Sequence, residues 1–187
     1  MTKWFGLAAW LIASTLLGGI LLIRHLVALP TPAITDVVLR EAIRGQLPAP
    51  TWRVVHFMYR ECACSRRTID HLVSAPRPAG LHELAVVVDD AGKPGPEDAR
   101  LRAAGIAVVV VTPEMVHQLY HLEAAPVLAV MTPDGEVVYL GGYNRHKQSA
   151  AYEDLAIIAD LRAHHSARAL PVFGCATSER LSRALRF

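Results

Sequence analysis

Val54-Val55-His56-Phe57-Met58-Tyr59-Arg60-Glu61-Cys62-Ala63-Cys64-Ser65 decides how the rest of the chain is read. The first six residues form an apolar run without strict alternation, the pattern of a strand covered on both faces. Beyond the cysteines, Ile69, Leu72 and Val73 recur at helical spacing. A helix that starts at a thiol presents unpaired N–H groups and the positive end of its dipole to the sulfur, and so favours the thiolate. Arg60, Arg66 and Arg67 add positive charge nearby. Cys62 and Cys64 are therefore candidates for reactive sulfur chemistry.

Working outward, the chain has 187 residues, room for one hydrophobic anchor and one domain that buries its own core without disulfide staples. It holds 3 cysteines, and an odd count with two of them a single residue apart suits a reactive or metal-binding site better than a disulfide framework. The formal charge of +2, from 19 basic and 17 acidic side chains, produces no field that argues for a nucleic-acid partner. Zinc-finger spacing, a glycine-rich phosphate loop and a nucleophile elbow are absent from the sequence, and no cofactor is expected.

Upstream, Trp4 to Ile23 carries no charge and approaches the length needed to cross roughly 30 Å of hydrocarbon as a helix. Arg24 and His25 follow it without a small-residue cleavage site, so residues 1–29 are expected to be an uncleaved transmembrane anchor. Lys3 and Arg24 flank it on opposite sides. A short N-terminal tail left inside puts the remaining domain outside the cytoplasm, in a periplasm if the membrane is a bacterial inner membrane. Residues 30–50 form a linker and first helix: Pro30 and Pro32 stiffen the exit, Thr35 or Asp36 caps a helix through Ile43, and Gly45 with Pro48 ends it.

Residues 51–165 form the main domain. Strands are expected over 52–58, 84–88 and 106–111, alternating with helices after Cys62, over 95–104 and over 113–120, the pattern of parallel βαβ units. Ala125-Pro126 leads into a strand over 127–131. Thr132-Pro133-Asp134-Gly135 turns the chain, and an antiparallel strand returns over 136–140. A helix over 150–163 should turn Leu155, Ile158, Ala159 and Leu161 inward. Residues 166–187 extend beyond it, carrying Cys175 and a basic stretch from Thr177 to Phe187 expected to be solvated or to touch anionic lipid.

Taken together, these features resemble the thioredoxin-like superfamily, in particular its membrane-anchored TlpA and ResA type redoxins. The resemblance rests on Phe57 at the end of a strand five positions before Cys62, on Pro126 just before a strand, and on the Pro-Asp-Gly-Glu hairpin followed by a last helix. It implies an α/β thioredoxin-like fold, a central mixed sheet flanked by helices, behind the N-terminal helix. It further implies Cys62 as the attacking thiol, Pro126 as a cis-proline facing it, and protein thiols or disulfides as partners. One departure stands out, because the family's Cys-x-x-Cys reads Cys62-Ala63-Cys64-Ser65 here, with Ser65 where the second thiol belongs.

Cys64 is the expected second thiol and Cys175 its competitor. A Cys62–Cys64 bond would close a very small ring, and a strained disulfide is easily reduced. His56 stands where thioredoxins carry a buried acid, and an imidazole can manage protons near neutral pH. Two alternatives remain at this level. Cys62 and Cys64 can serve as soft ligands for Cu(I), with Met115, His117 and His121 inviting the same reading, or the domain can be a non-catalytic interaction module.

Overall fold

The computed structural model describes residues 2–26, 28–31, 36–43, 45–46, 48, 50–147 and 149–185. The chain opens with helix α1 (Thr2–Leu26) and a short helix α2 (Asp36–Ala42). Thr35, one of the two expected caps of α2, lies outside the described residues, as do Pro32, Arg186 and Phe187. The domain proper then runs β1 (Trp52–Tyr59), α3 (Ala63–Ser74), β2 (Leu81–Val88), α4 (Pro96–Ala103), β3 (Ala107–Val111) and α5 (Pro113–Tyr120). It continues with β4 (Ala124–Ala125), β5 (Val127–Met131), β6 (Val137–Gly141), α6 (Asp154–Arg162), β7 (Cys175–Ala176) and α7 (Glu179–Leu185).

Five strands form one sheet in the order β3-β2-β1-β5-β6. β1, β2 and β3 are parallel, as the alternation of strands and helices predicts, while β5 runs antiparallel to β1 and β6 antiparallel to β5. This central mixed sheet, flanked by helices, fits a thioredoxin-like fold. β1 lies in the middle, which explains its unbroken apolar run: its interior residues are buried on both faces.

The two-residue period of the strand sorts β1 between two cores. Val55 and Phe57 face a cluster with Leu39 of α2, Val116 and Tyr120 of α5, and Val172 and Leu181 from the end of the chain. Val54 and Met58 face the other, with Ile69 and Leu72 of α3, Leu101 of α4, and Ile158 and Leu161 of α6. In α6 the buried positions are Asp154, Ile157, Ile158 and Leu161, an i, i+3, i+4, i+7 stripe that includes Ile157 and leaves the expected Ala159 exposed.

Two expectations about the ends of the chain change. The helix expected over Trp4 to Ile23 is present within α1, but among the described residues no helix is long and apolar enough to cross a membrane. The C-terminal stretch forms the short helix α7, which leaves Arg180 and Arg183 exposed but, unlike a fully solvated tail, packs Leu181 into the core. Val172 is fully buried and Leu181 is 8% exposed, because both supply apolar surface to the core beside α2 and α5. The chain therefore returns, after α6, to the face of the sheet that its sequence position gave no reason to expect.

Candidate active site

Cys62 reaches its place through a tight turn at the end of β1. Its amide donates to the Tyr59 carbonyl (3.0 Å), and it stands as the N-cap of α3 with extended backbone angles. Ser65, at the third helical position, is fully buried, and its hydroxyl accepts a hydrogen bond from the Tyr59 amide (3.0 Å). The residue standing where a second thiol was expected thus ties the strand to the helix. No side chain caps the helix at Cys62, so the sulfur of the capping residue sits at the positive end of α3.

Across from it, the Ala125–Pro126 peptide is cis, as the resemblance implied. The carbonyl oxygen of Ala125 lies 3.8 Å from Cys62 Sγ. The other wall comes from the end of the chain. β7 pairs antiparallel with β4, with Cys175 opposite Ala125 and Ala176 opposite Ala124, and the Thr177 amide donates to the Glu123 carbonyl (2.7 Å). Cys175 is thereby brought to Cys62 and forms a disulfide with it, the two Cα atoms 5.8 Å apart. In this oxidised state Cys62 is fully buried and Cys175 is partly exposed.

This pairing corrects the expectation that Cys64 is the second thiol. Cys64 is free. As the second residue of α3 it points away from the N-cap, and its sulfur is 3.5 Å from Arg67 Nη2. It lines a small cavity of about 30 Å³ together with Arg67, Pro126, Tyr143, Tyr152 and Phe173. The cationic cluster expected around Cys62 is also engaged elsewhere. Arg60 forms ion pairs with Asp89 (2.8 Å), Glu97 (2.7 Å) and Asp98 (3.2 Å), and Arg66 donates to the Arg60 carbonyl. Acidic partners close at hand draw the guanidinium toward α4, so the helix terminus is the positive feature that meets Cys62 directly.

His56 is fully buried on the α3 and α6 side of the sheet. Its Nδ1 pairs with the Tyr143 hydroxyl (2.8 Å) and its Nε2 with Glu83 Oε2 (2.7 Å). Arg77 binds Glu83 through two nitrogens and reaches Asp154 (3.0 Å), which also pairs with His71 (2.8 Å). Burial opposes the charge on Glu83, but hydrogen bonds from His56 and Arg77 prevail and hold its carboxyl down at about 2. Asp154 shows the same balance: burial resists ionisation, and His71 and Arg77 bring it to about 2. Tyr143, buried among these charges, keeps its proton well above the usual phenol range. His56 thus belongs to a paired ionic network, and Tyr143 connects that network to the cavity beside Cys64 and Pro126.

Several residues of the site escaped sequence reasoning. Gly174 is the most informative, since a Cβ there would lie 1.8 Å from the Ala125 carbonyl oxygen and 2.7 Å from Pro126 Cδ, so only glycine lets the tail approach. Its place before Cys175 was the available signal. Nothing in the local sequence singles out Glu83, Arg77 or Asp154. The soft-metal alternative gains nothing from the geometry: Cys62 is bonded to Cys175, His117 lies in α5 with His121 as its C-cap, and among the described residues no three potential ligands are grouped.

Comparison with known proteins places the chain by fold alone. No protein-family model and no curated protein matches it. An uncharacterized conserved protein from Geobacillus kaustophilus is similar at a TM-score of 0.53 and 17% identity, covering 82% of this chain and 91% of that one. A hypothetical protein from Sinorhizobium meliloti is similar at 0.54 and 16%, covering 81% and 94%. A thiol:disulfide interchange protein from Bacteroides sp. aligns at 0.41 and 14%, covering 73% and 88%, a likeness too weak to assign an activity. The first two likenesses are of fold, and the central mixed sheet flanked by helices fits a thioredoxin-like fold.

Proposed function

We infer that this protein is a thiol–disulfide oxidoreductase that exchanges or reduces protein disulfides, with Cys62 and Cys175 as its redox pair. One observation carries the reading: a disulfide joins the N-cap of α3 to a strand laid against the cis-Pro126 loop, with the residue Cys175 partly exposed. A helix N-terminus stabilises the thiolate that exchange must release, and an accessible sulfur admits the incoming thiol. Cys175 replaces the local second thiol that the Cys-x-x-Cys pattern would supply.

The test is reduction of insulin by the full chain with dithiothreitol as electron source. Faster insulin precipitation than with dithiothreitol alone, lost in Cys62→Ser and in Cys175→Ser, supports the reading. Equal rates with and without the protein contradict it and favour a non-catalytic interaction domain.

Attachment to a membrane, with the domain on the extracytoplasmic side, is part of this proposal. Its support is that Trp4, Leu7, Trp10, Leu11, Ile12, Leu16 and Leu17 of α1 are exposed and join neither core cluster, and that a persistent disulfide suits an oxidising compartment. Fractionation of cells expressing the full chain checks it: sedimentation with the membranes at physiological ionic strength is expected, and complete recovery in the soluble fraction contradicts attachment through α1.

A further inference from the structure

We propose that Cys175, on the C-terminal strand, is the sulfur that exchanges with substrates, and that Cys62 is the buried thiol that leaves and resolves. This rests on the redox reading above and reverses the roles that the sequence implied for the two cysteines. Three independent observations support it.

The first is access. Cys62 is fully buried, enclosed by the Ala125–Pro126 loop on one side and by the tail on the other, whereas both residues of β7 are partly exposed. Exchange requires the attacking sulfur, the attacked sulfur and the leaving sulfur to lie nearly in line, so an external thiol must come to the sulfur it can reach.

The second is the leaving group. Attack on Cys175 expels Cys62 as a thiolate at the N-cap of a 12-residue helix, where the dipole and the unpaired amides receive negative charge. Attack on Cys62 would instead expel a thiolate from a two-residue strand with no such feature.

The third is that the tail keeps its place without the disulfide. Before Cys175, the Leu170 carbonyl accepts from the Gly142 amide (2.9 Å), the Val172 carbonyl accepts from the Leu29 amide (2.8 Å), and Val172 is buried in the core. After it, Thr177 pairs with Glu123, Arg180 forms an ion pair with Glu123 (2.6 Å), and Leu181 enters the same core. Reduction therefore leaves Cys175 poised over Cys62, and Cys62 has no need to become exposed.

The electron balance is closed. In the oxidising direction a substrate thiolate attacks Cys175 Sγ, the Cys62–Cys175 bond breaks, a substrate–Cys175 mixed disulfide forms, and Cys62 leaves as thiolate. A second substrate thiolate then attacks the substrate sulfur of that mixed disulfide and expels the Cys175 thiolate. The substrate dithiol is oxidised to a disulfide and the protein disulfide is reduced to two thiols. In the reducing direction the same steps run backward: Cys175 attacks the substrate disulfide, and Cys62 attacks Cys175 Sγ to release the substrate thiol.

Glutathione is the probe. The full chain carrying Cys64→Ser is oxidised, pulsed with reduced glutathione, quenched in acid, labelled with N-ethylmaleimide and mapped by mass spectrometry. Glutathione on Cys175 with maleimide on Cys62 is the expected result; glutathione on Cys62 overturns the proposal and leaves the oxidoreductase reading standing. No exchange at either cysteine contradicts both. As a second measurement, Cys62→Ser/Cys64→Ser and Cys64→Ser/Cys175→Ser are reacted with oxidised glutathione in native buffer. Cys175 should be modified at least about tenfold faster than Cys62, with the rates converging in denaturant. Equal native rates also overturn the proposal.

Discussion

Replacing Gly174 with alanine should loosen the redox pair without unfolding the domain, and the size of the effect follows from one contact. The added methyl would sit 1.8 Å from the Ala125 carbonyl oxygen and 2.6 Å from its carbon. A carbon meets a carbonyl oxygen comfortably at about 3.3 Å, so the tail must withdraw by roughly 1.5 Å. Along the line between the cysteines, that carries the Cα separation from 5.8 Å to roughly 7.3 Å, beyond the approximate 6.8 Å limit of ordinary disulfides. In the reduced Gly174→Ala variant the added methyl is accommodated by lifting β7 from β4 between its anchored flanks, whereas the oxidised variant must retain the overlap or distort the backbone. Overpacking of this kind costs about 1–3 kcal/mol, here only in the oxidised form. That free energy corresponds to about a 5- to 150-fold shift in the glutathione ratio at which half the protein is oxidised. The assay equilibrates wild type and Gly174→Ala in graded glutathione buffers and measures the disulfide fraction by mass after acid quench. An unchanged midpoint, with the Cys62–Cys175 bond formed in both proteins, would refute the claim that the tail's approach to the cis-Pro126 loop sets the pairing.

Other consequences can be measured on the same protein. Reduction should lower stability by at most about 4–5 kcal/mol, because the bond closes a chain segment with a sequence separation of 113. Urea unfolding of the oxidised and reduced forms checks this, and a difference below about 1 kcal/mol would show that the bond restrains little in the unfolded chain. Stability should also fall on acidification. Glu83 drops from its usual 4.5 to about 2 and Asp154 from 3.8 to about 2 on folding, so their contribution is complete above pH 4.5 and is lost as pH falls toward 2. Urea unfolding across that window should show a slope that becomes shallower in Glu83→Gln; a pH-independent wild type would contradict the network. In the oxidised protein iodoacetamide should label Cys64 alone, and labelling of Cys62 or Cys175 would show that the pair is open.

How much of this was legible before the structure depends on the range of each interaction. β1 announced itself because a central strand is apolar on both faces, and α5 matched its expected span because Thr112 and Pro113 are local start signals. The helix starting at the cysteines is legible from spacing, whereas Cys62 as the attacking thiol and cis-Pro126 came from the resemblance. What stayed hidden was long-range. Nothing near Cys175 says that it will meet a cysteine on the other side of the domain, and the two-residue strands β4 and β7 are too short to leave a pattern. Local spacing favoured Cys64 for that reason, although a helix turns adjacent residues in different directions and sends its sulfur toward Arg67. The buried ion pairs were hidden by the same logic. Nothing in the local sequence singles out Arg77, Glu83 or Asp154 until the fold brings them to His56 and His71.

The most direct test of the account is the disulfide map of the full chain, digested without reduction after thiols are blocked. A peptide containing Cys62 linked to one containing Cys175, with Cys64 carrying the blocking group, is the expected result. A bond from Cys62 to Cys64, or three blocked thiols in protein purified under oxidising conditions, would contradict it.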